Sequence, residues 1–249
     1  MRFEDRYDKK WTELSFRELV NFARWMNKII GYHPTVIGGW AVYLYHKGLG
    51  SRDIDVVLPR RNIKDKVINM YLGNNGYEIR TKTFGEDEWI KYLEPGNTAS
   101  EIYLDVCTFE DNNLVHGADI EIPWAIVNDG EKDIKVDNAD LHIPAPEVLL
   151  ILKVKAAWDR AYDISQGSSS DFLRDKLRKD RIDVISILLN CELNTKSISK
   201  NVRKYRFEKY FIDAISRVSG DDFALQHHGI RGEKRKKLIQ IVDKIVSGM

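Results

Sequence analysis

Between residues 15 and 30 the apolar side chains Phe16, Leu19, Val20, Phe22, Ala23, Met26, Ile29 and Ile30 recur at intervals of three and four, the spacing of an amphipathic helix. Ser15 and Glu18 form the S-x-x-E pattern of a capping box, which predicts a helix over 16–30 ended by Gly31. Thr35, Val36 and Ile37 are a short β-branched run that breaks into Gly38-Gly39, and Trp40 to His46 reads as a second helix closing near Gly48. The local order is strand, glycine turn, helix. Residues 53–58 alternate polar and apolar side chains up to Pro59, and 63–73 has helical spacing. Further strands are expected at 77–84, 88–94, 101–109, 119–127 and 133–137, separated by Gly, Asn, Asp and Pro. The pattern then changes. Pro144-Ala-Pro146 sets a proline at a first helical turn, and helices are expected from Glu147 to Tyr162 and over 171–190, 197–218 and 231–247. The expected fold class is α+β, a mixed sheet flanked by helices over 1–143 followed by a helical domain over 144–249.

The chain has 249 residues, 43% hydrophobic and 31% charged, long enough to bury a core and unlike a disordered or collagen-like composition. No repeat of fixed period is visible, and low complexity is confined to the QGSSSD stretch. No apolar run approaches the roughly 18 to 20 residues of a membrane span, and the charged start MRFEDRYDKKW is unlike a signal peptide. A cytoplasmic protein without a membrane partner is expected. Cys107 and Cys191 lack CxxC partners and read as reduced thiols. The net charge of +1 conceals an asymmetry: residues 141–249 hold 21 Lys and Arg against 14 Asp and Glu, the preceding residues 18 against 24. Such a division suits metal ions in one half and polyphosphate or nucleic acid in the other, and also an ordinary solvated surface.

Candidate chemistry concentrates on two strands. Asp53 and Asp55 alternate with Ile54 and Val56, so both carboxylates face one way, roughly 6 to 7 Å apart at Cα. Such a pair repels itself unless a cation or proton intervenes, and a hard ion such as Mg²⁺ takes oxygen ligands. Asp105 stands alone among apolar neighbours in Ile102-Tyr103-Leu104-Asp105-Val106-Cys107, a poor setting for an unpartnered charge. It either joins the first pair in a three-carboxylate cluster, holding two metals and taking a proton from an attacking hydroxyl, or pairs with a nearby Lys or Arg. Asp119, Glu121 and Glu101 are weaker candidates because nothing frames them. Gly38-Gly39 lets the backbone approach a ligand where a strand meets a helix N-terminus, whose N–H groups suit an anion. The spacing is neither a Walker P-loop nor a G-x-G-x-x-G fingerprint.

Gly38-Gly39-Trp40-Ala41 followed by Ser51-Arg52-Asp53-Ile54-Asp55-Val56 resembles the signature of the nucleotidyltransferase superfamily related to DNA polymerase β. The similarity is greatest to its aminoglycoside and lincosamide nucleotidyltransferases and the AbiEii-type toxins. The resemblance implies a nucleotidyltransferase-type fold and transfer of a nucleoside monophosphate from an NTP such as ATP to a hydroxyl, with release of pyrophosphate. It assigns Mg²⁺, two ions, to Asp53, Asp55 and Asp105, with Asp105 as base, and the nucleotide to Gly38, Gly39, Ser51 and Arg52. A second glycine in place of the Gly-Ser of polymerase-type members argues against a templated polymerase. Pro146-Glu147-Val148-Leu149-Leu150, Lys153, Ala156, Arg160, Lys179-Asp180 and Asp183 resemble the later AbiEii-like pattern more loosely. By that resemblance Lys153, with Lys155 as the fallback, contacts the triphosphate, and Arg160 and Asp180 belong to the nucleotide site. Asp180 and Asp183 share a helix face and serve either as parts of that site or as an interhelix salt bridge.

Other readings stay open. The same fold without turnover would be a nucleotide-binding or toxin–antitoxin component, and clustered carboxylates also serve nucleases and phosphohydrolases. His227-His228 is expected in a loop rather than a metal site. Lys200, Arg203, Lys204, Arg206 and Lys209 interleave with Tyr205, Phe207 and Tyr210, as on RNA-binding surfaces or on a solvated helix with its aromatics inward. With the basic run 231–237 this keeps RNA among the possible acceptors, beside a small molecule or a protein. The small-molecule relatives often pair as homodimers.

Overall fold

After a short helix α1 (Phe3–Arg6), helix α2 (Lys9–Trp25) begins about two turns before the apolar stripe, because Asp8 accepts from the Lys10 N–H at 2.8 Å and caps it there. The capping box expected at Ser15 is therefore not formed: Ser15 is buried mid-helix, its Oγ donating to the Arg52 carbonyl at 3.1 Å and accepting from Trp40 Nε1 at 3.3 Å. A π-helical turn, Met26–Ile30, carries the helix to Gly31, which ends it in the left-handed conformation. The computed structural model describes residues 3–81, 87–94, 100–168 and 170–249, and the chain forms two units. One comprises Met1–Asp111 with Pro123–Pro144, the other Asn112–Ile122 with Ala145–Met249.

The first unit is built on a seven-stranded mixed sheet. Its strands are β1 (Thr35–Val36), β2 (Asp53–Leu58), β3 (Glu78–Thr81), β4 (Asp87–Tyr92), β5 (Glu101–Thr108), β8 (Lys132–Val136) and β9 (Ala139–Ile143), in the order β3-β4-β5-β2-β1-β9-β8. β2 runs parallel to β5, and β1 is antiparallel to β2 and parallel to β9. Of the strand expected at 77–84, residues 82–84 lie outside the described residues. The strand expected over 119–127 is shorter than its composition implied: only Glu121–Pro123 is extended, and Trp124–Asn128 turns into a 3-10 helix after Pro123. β8 and β9 meet at Asp137-Asn138, both with positive φ, the pair of left-handed residues a two-residue hairpin requires. Helix α3 (Gly38–Tyr45) begins at the glycines rather than after them, and α4 (Arg61–Val67) continues as a π-helical turn, Ile68–Leu72.

Ile54, Val56, Ile102 and Leu104 are fully buried on one face of the sheet, and Leu19, Phe22, Tyr71 and Leu72 belong to the same core. Burial at about 25 cal/mol per Å² makes this face the main source of the unit's stability. Into it the sequence inserts Glu18, 6% exposed, in place of the capping role expected of it. Its carboxylate accepts from the hydroxyls of Tyr71 at 3.0 Å and Tyr77 at 3.2 Å and pairs with the Lys91 ammonium at 3.0 Å. The charge is tolerated because these three donors replace water.

The second unit packs α5 (Pro146–Ser165), α6 (Asp171–Asn190), α7 (Thr195–Lys204), α8 (Glu208–Val218), α9 (Asp222–His227) and α10 (Glu233–Ser247) with the strand pair β6 (Asn112–Leu114) and β7 (Glu121–Pro123). Ser170 caps α6, which spans the expected 171–190, accepting from the Leu173 N–H at 3.1 Å. The helix expected over 197–218 is two helices, because the chain turns through a left-handed Arg206. His227 lies at the end of α9, a helix rather than the expected loop. The hairpin is tied to α5: the Trp158 indole donates to the His116 carbonyl at 2.9 Å, the His116 N–H to Asp159 at 3.0 Å, and the His116 ring meets Asp163 at 2.8 Å. Among the described residues no helix is long and apolar enough to cross a membrane.

Burial, and then the neighbouring Glu18 charge, push the hydroxyl pKa values of Tyr71 and Tyr77 well above the ordinary range. Both must stay protonated in the folded chain, whereas in the unfolded chain they ionise near pH 10. Stability from this network is present below about pH 10 and is lost as the pH rises above it. Urea denaturation from pH 8 to 11 should show a falling unfolding free energy, and Tyr77→Phe should cost about 1 to 2 kcal/mol at pH 8 while flattening the alkaline slope.

Candidate active site

Parallel pairing fixes which acidic side chains become neighbours. In the β2–β5 register Asp53 stands opposite Tyr103, and Asp55 opposite Asp105. Opposed residues project to the same face of a sheet and alternate residues return to it, so Asp53, Asp55 and Asp105 share one face with Glu101, Tyr103 and Cys107. All six are half-buried, while the alternate residues Ile54, Val56, Ile102, Leu104 and Val106 are buried on the other face. The sequence thus folds so that the apolar alternates pin both strands and leave the carboxylates partly wet.

Gly38 meets this face directly. Its φ is +66°, and a Cβ built there would lie 2.0 Å from Oδ2 of Asp55, while the Ile37 N–H donates to the Asp55 carbonyl at 2.9 Å. Only glycine allows both the conformation and the approach. Gly39 is buried in the same first turn of α3, whose opening peptide N–H groups have no acceptor within the helix. Ser51 accepts from the Asp53 N–H at 3.2 Å and so orients the start of β2. Arg52 is turned into the protein, 6% exposed, and donates from Nε to the Glu101 carbonyl at 2.9 Å. Burial lowers its pKa, and Tyr103 and Glu101 oppose that effect.

Two residues on the carboxylate face were missed as neighbours in the sequence, although the alternation of Glu101, Tyr103, Asp105 and Cys107 carries the signal. The Tyr103 hydroxyl donates to Glu101, which also pairs with Arg80 at 3.4 Å. The Cys107 thiol is pushed up to about 12, first by burial and then by the Asp105 carboxylate, with Lys64 opposing and Asp55 adding to the rise. Among the described residues no set of three or more His, Cys, Asp or Glu side chains stands close enough together to hold a metal ion as it is. The carboxylates share a face without converging on one point. As a donor set they are all hard oxygen, the chemistry Mg²⁺ accepts, and Gly38 lets the Asp55 carboxylate lie where a Cβ would otherwise stand.

The remaining candidates lie in the second unit. Lys153 is buried on α5, its ammonium 3.2 Å from Asp180 Oδ1 and 2.7 Å from Asp183 Oδ2. Arg160 pairs with Asp180 as well, and Lys179 with Asp183. Burial alone would raise the Asp183 pKa, but Lys153 and Lys179 outweigh it and hold the carboxyl below its ordinary range. Burial pulls the Lys179 ammonium down, opposed by Asp183. Lys155, the fallback, is also buried, paired with Asp159 at 2.6 Å and hydrogen-bonded to Asn113.

A crystal structure of an antigenic nucleotidyltransferase-like protein from Paracoccidioides brasiliensis superposes on the chain with a TM-score of 0.51, covering 91% of each at 16% identity. The fold is nucleotidyltransferase-like. No family model matches the sequence, and neither does any curated protein. At this identity the likeness shows the arrangement of sheet and helices, and the site rests on the residues above.

Two outcomes test this geometry without assaying an activity. Asp105→Asn removes the largest of the charges that add to burial in raising the Cys107 pKa, so iodoacetamide labelling of Cys107 at pH 8.5, read by peptide mass spectrometry, should quicken while Cys191 is unchanged. Lys153→Met leaves Asp180 with Arg160 and Asp183 with Lys179, one cation fewer for each, and should cost about 2 kcal/mol in urea denaturation, so lost function in that variant must be read beside its stability.

Proposed function

We propose that the protein is a Mg²⁺-dependent nucleotidyltransferase of the cytoplasm, moving a nucleoside monophosphate from an NTP to an acceptor hydroxyl. The observation that supports this reading is the in-register pairing of Asp55 with Asp105 beside Gly38, at the edge of a helix N-terminus. Asp53, Asp55 and Asp105 would hold the metal, which supplies charge neutralisation to the triphosphate when bound. Asp105 takes the proton from the attacking hydroxyl, whose oxygen forms a bond to the α-phosphorus as the bond to the β-phosphate bridge breaks and pyrophosphate leaves. Gly38 and Gly39 present backbone to the phosphates where a side chain would block them. Chemistry of this kind is chiefly positioning and electrostatics, which a carboxylate face beside a glycine turn provides.

Asp55→Asn keeps the shape of the side chain and removes one charge. It should lower Mg²⁺-dependent pyrophosphate release, measured with each NTP and a cell extract as acceptor source, by roughly 10²-fold or more with an unchanged melting temperature. Full activity in that variant would remove the assignment. Calorimetric binding of an NTP with no pyrophosphate formed from any extract would make the chain a nucleotide-binding protein without turnover.

A further inference from the structure

Helix α7 carries Lys196, Lys200, Arg203 and Lys204 at the intervals i, i+4, i+7 and i+8, all exposed, while Ile198, Ser199, Asn201 and Val202 are buried on its other side. Like charges one turn apart destabilise a helix by a few tenths of a kcal/mol per pair. The local sequence does little to offset them: over residues 195–210 there are six basic residues and one acid, Glu208. Among the described residues Lys196, Lys200, Lys204 and Arg206 form no ion pair with a side-chain carboxylate, and Arg203 instead donates to the Met249 carbonyl. One turn of helix spaces these charges at about 6 Å, close to the phosphate repeat of an extended nucleic-acid strand.

The corner that follows is costly in the same direction. α7 ends in a Schellman motif, with the Phe207 N–H donating to the Val202 carbonyl and the Arg206 N–H to the Arg203 carbonyl, both at 3.0 Å. The left-handed position in that motif favours glycine, yet here it is Arg206, exposed, with φ of +56°. A left-handed non-glycine residue costs about 1 kcal/mol. The buried Phe207 closes the corner, and the half-buried rings of Tyr205 and Tyr210 flank it beneath the ammonium groups of Lys204 and Lys209, 5.0 and 5.7 Å from their centroids. The aromatics expected to point inward are thus divided, Phe207 inside and Tyr205 at the surface, while the half-buried Tyr210 ring packs against Trp158 and Phe207, 4.9 and 6.3 Å between centroids.

We propose that the α7 ridge and the Arg206 corner bind single-stranded RNA, the lysines along its phosphates and Tyr205 against an unstacked base. Neither α7 nor α8 contributes a large exposed apolar side chain, so the patch lacks what insertion into a membrane surface needs. RNA rather than DNA follows from the transfer reading, on which this choice rests, because every RNA residue carries a 2′-hydroxyl able to accept a nucleotide and DNA does not.

The test is fluorescence anisotropy of a labelled 12-nucleotide RNA with the full-length chain across a KCl series. Lys196→Gln/Lys200→Gln/Lys204→Gln should weaken binding at least tenfold at low salt and reduce the salt slope by about 2, at 0.7 per lost contact. The equally neutralising set Lys234→Gln/Arg235→Gln/Lys237→Gln on α10 should change affinity less than threefold. Arg206→Gly should bind RNA several-fold more weakly yet melt at a higher temperature, a combination that misfolding cannot produce. Asp55→Asn should bind RNA as the parent does, so a failed transfer assay leaves this proposal standing. Equal weakening by both triple variants, equal binding of DNA of the same sequence, or equal competition by polyglutamate would overturn it.

Discussion

Parallel, in-register pairing of β2 with β5 sets Asp55 opposite Asp105, and the burial of Ile54, Val56, Ile102 and Leu104 on the other face of the sheet holds that register. The strands cannot slip, because a shift of one residue would carry Ile54 and Leu104 out of the core and the acids into it. Hydrophobic burial on one face therefore fixes which acids share the other.

The glycine turn obeys the same logic. Gly38 is admitted against Asp55 because it has no side chain, and the peptide hydrogen bond from Ile37 to the Asp55 carbonyl holds the two segments together. Buried charge in the second unit is handled in the opposite way. There Lys153, Lys179, Asp180 and Asp183 neutralise one another at close range, so their energy is spent within the helices.

Much of this was legible in the sequence, for physical reasons. Asp53, Asp55 and Asp105 stood out because a charge embedded in an apolar alternation must either face a site or find a partner, and α6 was bounded correctly because its cap and its apolar period agree. The errors have equally local causes. Ser15 and Glu18 matched a capping box, but Asp8 stood one turn and more upstream as a better cap, and the true roles of both residues depend on Trp40, Tyr71 and Tyr77, far away in the chain. The break at Arg206 was invisible because no glycine or proline marks it. That Tyr103, Asp105 and Cys107 share a face was readable from alternation along β5, but that this face continues onto Asp53 and Asp55 needed the strand register, which no single strand contains.

Residues 112–122 fold with the helices of the second unit, though the chain before and after them belongs to the first. The polypeptide consequently passes between the units three times, at 111/112, 122/123 and 144/145. A C-terminal fragment beginning at residue 145 would strip the hairpin from α5, leaving Trp158, Lys155 and Asp159 without His116 and Asn113. The two halves are thus not interchangeable cassettes: recombination or proteolysis at any single peptide bond leaves at least one of them missing a piece of its own interior.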